Sequence, residues 1–337
     1  MHNTSKDILV SVVVPCRNEA KYIEICINSI ISNKLSDQIE VLIADGESND
    51  GSKEIITELA KTNSNIRLIN NPQRLTPFGL NIGIENARGK YIMIASSHSA
   101  FQQDYIPTLL KELQELDADG IGGIMETKIL NSNKTSEAIR IVLTHPFGVG
   151  NSYFRIGIKQ PLKVDTVPFG LYKKSFFDDV GLYNTKLIRN HDIELSKRAL
   201  ALGKKIFLTP STSCTYYARE TFSKLAKNNF KNGFWNFKTI YITKKLSSIS
   251  LRHFVPFLFI MSLIIPIILG LIWSKFFILL SCLSLLLYTI FILFTALKID
   301  KNKTSFFKII CAFAVLHFSY GSGSVIGMFS FINLFKK

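Results

Sequence analysis

Cysteine is scarce and unpatterned in this chain: Cys16, Cys26, Cys214, Cys282 and Cys311 make an odd count with no CxxC spacing. Reduced thiols are expected, so neither a disulfide frame nor a zinc site is indicated. The common phosphate-binding signatures are missing too. No GxGxxG and no GKS or GKT follows a strand-like run, which excludes a dinucleotide fingerprint and a P-loop. Acid is in short supply, 25 Asp and Glu against 40 Lys and Arg, for a net charge of +15. The soluble-looking part has no basic block interleaved with aromatics, so nucleic acid is not the partner that charge points to. Anionic lipid headgroups or anionic lipid-linked substrates fit it better.

Charge of either sign disappears from two long stretches, "FVPFLFIMSLIIPIILGLIW" (254–273) and "FFILLSCLSLLLYTIFILFTAL" (276–297). At ~1.5 Å rise per residue each can cross a ~30 Å hydrocarbon core as a helix, and neither carries the polar stripe of a core helix in a soluble domain. Only Ser274 and Lys275 separate them, so a tight hairpin is expected, and its Lys- and Arg-rich flanks place both ends in the cytoplasm. A third apolar segment, 306–334, holds His317, Tyr320 and several glycines, and the chain ends on Lys336 and Lys337. A third span and a re-entrant or interfacial segment both remain open for it. Lys6 and Asp7 lead at once into a strand-like run, so no signal peptide is expected and the first ~250 residues should stay in the cytoplasm.

The polar two thirds alternate short β-branched runs with helical periodicity. "ILVSVVVP", "IEVLIAD", "IRLIN" and "YIMIA" read as strands; 19–31, 52–61 and a segment around 79–87 read as helices. That alternation predicts an α/β fold with a mostly parallel sheet and right-handed crossovers, whose ligands bind beyond the carboxyl ends of the strands. The residues leaving those ends are 15–19, 45–51, 70–74 and 96–98, and they should line one rim. In "DGESNDGS" the Gly and Asn residues serve turn geometry, whereas Asp45 at a strand end suits hydrogen bonds from ribose hydroxyls or a base N–H. Farther on, Asn190 reads as an N-cap, Gly203 as a helix stop, and Asp192 and Glu194 fall in the first turn, where the helix dipole favours a carboxylate. From 221 to 237, lysines alternate with Phe222, Phe230, Phe234 and Trp235, the pattern of an interfacial helix at headgroup depth.

Taken in order, "VSVVVPCRNEAKYI", "VLIADGESNDGS", "LNIGIENARGKYIMI" and "NHDIELSKRALALGKKIFLTP" resemble an inverting family 2 glycosyltransferase of GT-A fold. With "HPFGVGNSYFR", "VDTVPFG" and "HFSYGSGSVIG" they are similar to the membrane-anchored, succinoglycan-biosynthesis type over nearly the whole chain. The resemblance implies a GT-A domain over 1–241, with its interfacial helix at about 221–241, and a membrane region over 242–337. It implies that Pro15, Arg17, Glu19 and Asp45 hold the nucleoside, and that Asp192 is the general base, with His191 standing where the family has Glu. The family ends the strand matching "YIMIA" in an Asp-containing motif that binds Mg²⁺ or Mn²⁺. Here Ser96 replaces the Asp and His98 keeps the metal-binding place. Either His98 still holds a divalent ion, or cationic side chains such as Arg74 or Arg219 neutralise the leaving diphosphate, or the site is inactive. Glu194, Arg219 and Trp235 are further candidates on the substrate side. The function implied is sugar transfer from a nucleotide-diphosphate donor, UDP-linked by expectation, to an oligosaccharide on a polyprenyl diphosphate, at the inner membrane with the catalytic domain cytoplasmic. The alternatives are transfer to the polyprenyl phosphate itself and a non-catalytic partner in a polysaccharide assembly complex.

Overall fold

The structure, a computed structural model, describes residues 7–299 and 302–330; Lys6, Leu334, Lys336 and Lys337 lie outside the described residues. In chain order it runs β1 (Val10–Cys16), α1 (Ile23–Ile31), β2 (Ile39–Asp45), α2 (Ser52–Thr62), β3 (Ile66–Asn70), α3 (Thr76–Glu85), β4 (Tyr91–Ile94), β5 (Ser99–Phe101) and α4 (Tyr105–Glu115). Then come β6 (Gly120–Lys128), α5 (Lys134–Leu143), two single turns α6 (Pro146–Val149) and α7 (Tyr153–Ile156), β7 (Leu162–Lys163), β8 (Leu171–Lys173), α8 (Lys174–Val180), α9 (His191–Ala201) and β9 (Ile206–Tyr217). Four longer helices close the order: α10 (Phe222–Thr243), α11 (Val255–Ile272), α12 (Phe276–Lys298) and α13 (Phe306–Phe329).

The described chain forms two compact units, one of residues up to 126 and 157–217, the other of residues 127–156 and 218 onward. The resemblance implied a boundary near 241. α5, α6, α7 and α10 group with the apolar helices, and the buried faces of α5 and α10 pack on α13.

In the first unit the strand order is β3-β2-β1-β4-β8-β6-β9-β5, with β7 paired to β9. β1 to β4 form the parallel half, in register Cys16↔Asp45, Asp45↔Asn70 and Val13↔Ile94. From β4 onward the registered pairs are antiparallel, β4 with β8, β6 with β8, β5 and β7 with β9, so "mostly parallel" describes only one half of a mixed sheet. Val12, Val13, Val14, Val41, Leu42 and Ile43 are fully buried, as strands covered on both faces by helices require. At the amino ends of the parallel strands Glu40 is buried and accepts from Ser11 Oγ (2.7 Å), the Arg88 amide (2.7 Å) and Nε (2.9 Å), and Arg67 Nη1 (3.1 Å). Burial alone would raise its pKa, but these donors hold it below the ordinary carboxylate value.

In the second unit α5 contributes Ala138, Ile139 and Val142 to a core with Leu225 of α10 and Ile309, Ala312, Phe313 and Leu316 of α13. Thr221 caps α10 by accepting from the Lys224 amide. The tight hairpin is present, α11 ending at Ile272 and α12 starting at Phe276. The third apolar segment is one unbroken helix from 306 to 329. All three helices, over 251–272, 276–298 and 306–329, are long and apolar enough to cross a membrane.

Candidate active site

The carboxyl ends of β1, β2, β3 and β4 come out on one rim, fixed by the parallel registers above. The β1–α1 and β2–α2 loops are tied together there. The Asn18 amide donates to Ser48 Oγ (2.9 Å), the Glu19 amide to Ser52 Oγ (2.8 Å), the Ala20 amide to Asp50 Oδ2 (3.0 Å) and the Asn49 amide to Asn18 Oδ1 (3.0 Å). Asp50 also accepts from Ser52, and these donors hold its carboxyl below the usual range. Asp50 is thereby a loop lock. Asp45 is 3% exposed, with its carboxylate on the Ser48 amide (3.1 Å) and hydroxyl (2.5 Å). Gly46 lies where three loops converge: a Cβ would sit 3.2 Å from Arg74 Cα and 3.3 Å from Arg17 Cβ, so a side chain there would push the loops apart by a few tenths of an ångström.

Arg17 is exposed and donates weakly to the Arg74 carbonyl (3.4 Å); Pro15 is half-buried opposite Ala44. Arg74, expected as a phosphate cation, is ion-paired with Glu47 through both Nε and Nη2. Asn71 beside it is buried, donates its amide to the Asp45 carbonyl, and has no partner for Oδ1. Non-glycine residues with positive φ, each a cost of about 1–3 kcal/mol that the surroundings must enforce, recur around the rim: Asn18, Glu47, Arg74, Phe169 and Asn190.

At the end of β4 the chain turns so that the Ser96 carbonyl accepts from Cys26 Sγ, the Ser99 amide and Ser99 Oγ. Ser96 Oγ faces the His98 ring, 3.2 Å from Nδ1, and Glu19 Oε1 lies 3.6 Å from the same nitrogen. Tyr216, opposite Ser99 in the β5–β9 register, places its ring 6.4 Å from that of His98, and Tyr217 stacks on Tyr22. Burial, then the charges of Asp45, Glu19 and Asp50, push the Cys16 thiol up to about 12, so it stays a neutral packing group.

Among the described residues no group of three or more His, Cys, Asp or Glu side chains could hold a metal ion. His98 and Glu19 supply two donors. A divalent ion there would fit only with nucleotide oxygens and water completing its shell.

α9 carries the second set. Asn190 occupies the N-cap position but in the left-handed region, and its side chain makes no capping hydrogen bond; the expected side-chain cap is absent because that backbone turns it away from the first-turn amides. Asp192 is exposed on the first turn, and its charge acts on the buried Tyr172 and Tyr183 hydroxyls, raising both after burial has done so. His191 packs its ring on Tyr183 at 5.7 Å, its buried Nδ1 has no partner, and burial lowers its pKa, so it is neutral. Glu194 is turned inward onto Arg198, Nε–Oε1 3.0 Å and Nη2–Oε2 2.9 Å, and Arg198 also donates to the Val180 and Leu182 carbonyls. Arg219 and Trp235 belong to the second unit: Arg219 is exposed just before α10, and Trp235 sits half-buried on α10 with Lys238 Nζ 4.5 Å from its ring.

Tyr216 and Asn71 escaped the sequence reading. "CTYYARE" at the close of the last strand was the only signal for the tyrosine, and nothing marked Asn71 beyond its place after a strand.

A half-parallel mixed sheet with a loop-lined rim and a carboxylate-bearing helix is the GT-A fold, and the family model Glycosyl transferase family 2 matches residues 11–181. The chain belongs to that family. It is 28% identical over 66% of its length to the dolichyl N-acetyl-alpha-D-glucosaminyl phosphate 3-beta-D-2,3-diacetamido-2,3-dideoxy-beta-D-glucuronosyltransferase of Methanococcus voltae, covering 71% of that protein. To succinoglycan biosynthesis protein ExoA of Rhizobium meliloti it is 28% identical over 62% of its length, spanning 63% of that protein. The mannosyltransferase PcManGT from Pyrobaculum calidifontis, solved with GDP-Man and Mn²⁺, has the same fold, with a TM-score of 0.60 at 13% identity, over 96% of this chain and 88% of that one.

Proposed function

We propose that this glycosyltransferase takes a sugar from a nucleotide-diphosphate donor, a UDP-sugar, and adds it to a saccharide carried on polyprenyl diphosphate, in cell-surface polysaccharide synthesis. The observation that carries this reading is the Ser96–His98–Glu19 contact at the end of β4, on the same rim as buried Asp45. The printed names of the relatives, one acting on a dolichyl-phosphate-linked sugar and one in succinoglycan synthesis, support the acceptor class.

In the proposed reaction Asp45, within the loops anchored by Asp50, receives hydrogen bonds from the nucleoside, with Pro15, Arg17 and Glu19 alongside. Asp192 accepts the proton of the acceptor hydroxyl as that oxygen attacks the anomeric carbon and the bond to the diphosphate breaks, with inversion. Mg²⁺ or Mn²⁺, held by His98 with Glu19 and Ser96 beside it, would neutralise charge on the departing diphosphate. Arg198 and Glu194 fix the start of α9, and with it Asp192. Arg74, Arg219 and Trp235 are assigned to substrate contacts, Arg74 after release from Glu47. The catalytic domain lies in the cytoplasm at the inner membrane, anchored by the α11–α12 hairpin as part of a multi-pass region 242–337, with α10 as its interfacial helix.

Calorimetric titration of UDP into the detergent-purified chain, with Mn²⁺ and with a chelator, tests the donor side, and turnover of Asp192→Asn tests the base. No binding of UDP, GDP or their sugars under either condition would remove the catalytic reading in favour of a non-catalytic partner.

A further inference from the structure

We infer that α13, despite its length and hydropathy, does not cross the bilayer: it lies beside α10 at the headgroup boundary, and the two present a lysine face to anionic lipid phosphates. The inference rests on the reading that the α11–α12 hairpin is the membrane anchor.

α10 and α13 run side by side in the same direction. Lys308 lies over the Phe222 ring at the start, and Leu225 shares the core of Ile309, Phe313 and Leu316. Farther on Gly323 meets the Phe230 backbone, Gly233 meets Tyr320 and Ser324, Gly327 meets Phe234, and Tyr241 Oη donates to the Met328 carbonyl. A Cβ at Gly323, Gly233 or Gly327 would run into the facing backbone, so the two helices touch without intervening side chains. Depth in a membrane is therefore shared between them.

That shared depth decides the topology. Lys224, Lys227 and Lys231 are exposed on α10, spaced to lie on one face over two turns. The α5 helix covers the first turns of α13 from another side, and its buried Glu137 carboxylate holds an Arg140 side chain that is 36% exposed. Were α13 to span, exposed Lys227, between Leu225 in the core of Phe313 and Leu316 and Phe230 beside Gly323, would stand near the middle of the hydrocarbon, where an exposed ammonium is costly. The apolarity of α13 has another explanation, since 44% of its most apolar window is buried within the protein against 11% for each helix of the hairpin. Its hydropathy serves a protein core, whereas that of the hairpin faces outward.

Single cysteines at Lys303 and Ser330, in an otherwise cysteine-free full-length chain in sealed, uniformly oriented vesicles containing anionic lipid, give the first readout with a membrane-impermeant maleimide. Labelling of both from the same face is expected; labelling from opposite faces would overturn the inference. Trp273→Phe leaves Trp235 as the sole tryptophan and gives the second. Lipids brominated next to the headgroup should quench it more than lipids brominated near the chain ends, and the reverse order would overturn the interfacial placement. Neither readout uses UDP or turnover, so loss of the donor reading and loss of this one are separately visible.

Discussion

Glu19 Oε1 lies 3.6 Å from His98 Nδ1, so the imidazole at the end of β4 has a carboxylate beside it. Ser96 cannot ionise, and the carboxylate beside the imidazole, Glu19, comes from the β1–α1 loop. That loop is held by Ser52 and Asp50, which makes the position of Glu19 as reproducible as that of His98.

From this arrangement, His98→Ala and Glu19→Gln should each weaken Mn²⁺-dependent UDP binding by on the order of tenfold to a hundredfold, while Ser96→Asp, which puts a carboxylate in place of the hydroxyl now 3.2 Å from the same ring nitrogen, should strengthen it. Titration calorimetry with and without chelator reads all three. Equal affinity for UDP in every variant at every Mn²⁺ concentration would remove the metal from the proposal.

Asp192 is exposed at the start of a helix whose first turns are braced by the Glu194–Arg198 pair. Asp192→Asn keeps shape and loses basicity, so kcat should fall by about 10²–10⁴ with UDP affinity unchanged. Arg198→Lys, which forfeits the forked contacts to Glu194, Val180 and Leu182, should lower both the melting temperature and kcat. Steady-state kinetics paired with thermal melts separates the two effects.

Glu40 offers a pH-dependent stability test remote from the chemistry. Its folded pKa is depressed by Ser11, Arg88 and Arg67, so its contribution is fully present above the ordinary value of 4.5 and is lost as pH falls through the lower folded value. Glu40→Ala leaves the buried Ser11 hydroxyl without its acceptor and two half-exposed arginines without their carboxylate, and should cost about 1–3 kcal/mol at neutral pH. The gap between wild type and variant should close on acidification, and denaturant melts at a series of pH values measure it.

Much of the parallel half was legible from short-range signals. β2 begins and ends at the residues its β-branched run predicts, α2 starts at Ser52, and the hairpin turn falls at Ser274 and Lys275. What stayed hidden depends on partners distant in sequence. β8 reverses against β4 only because 77 or more residues intervene between Met93 and Leu171, and no local pattern records that pairing. The Glu40 cluster joins positions 11, 40, 67 and 88, and Glu47 occupies Arg74 only because both loops turn through positive φ. α10 reads as an interfacial helix whose lysines alternate with aromatics. After Leu225, its buried positions are Asn229, Gly233, Asn236 and Thr239, a polar and small stripe whose purpose is visible only once Gly323 and Gly327 lie against it.

That stripe yields the last prediction. A methyl group at Gly323 would meet the Phe230 carbonyl oxygen, and backbone, unlike a flexible side chain, cannot swing aside. Gly323→Ala must therefore push α10 off α13, at a cost of about 1–3 kcal/mol for an overpacked contact, and Gly323→Val should cost more. Alanine's better helix propensity opposes this by roughly 1 kcal/mol, so a net destabilisation would show that close approach outweighs propensity. The damage should stay in the second unit: earlier protease cleavage within 222–243 and a lower melting temperature in detergent, with UDP affinity unchanged because Asp45, Glu19 and His98 belong to the first unit. If UDP binding fell in proportion to the loss of stability, the two units would have to unfold as one cooperative body.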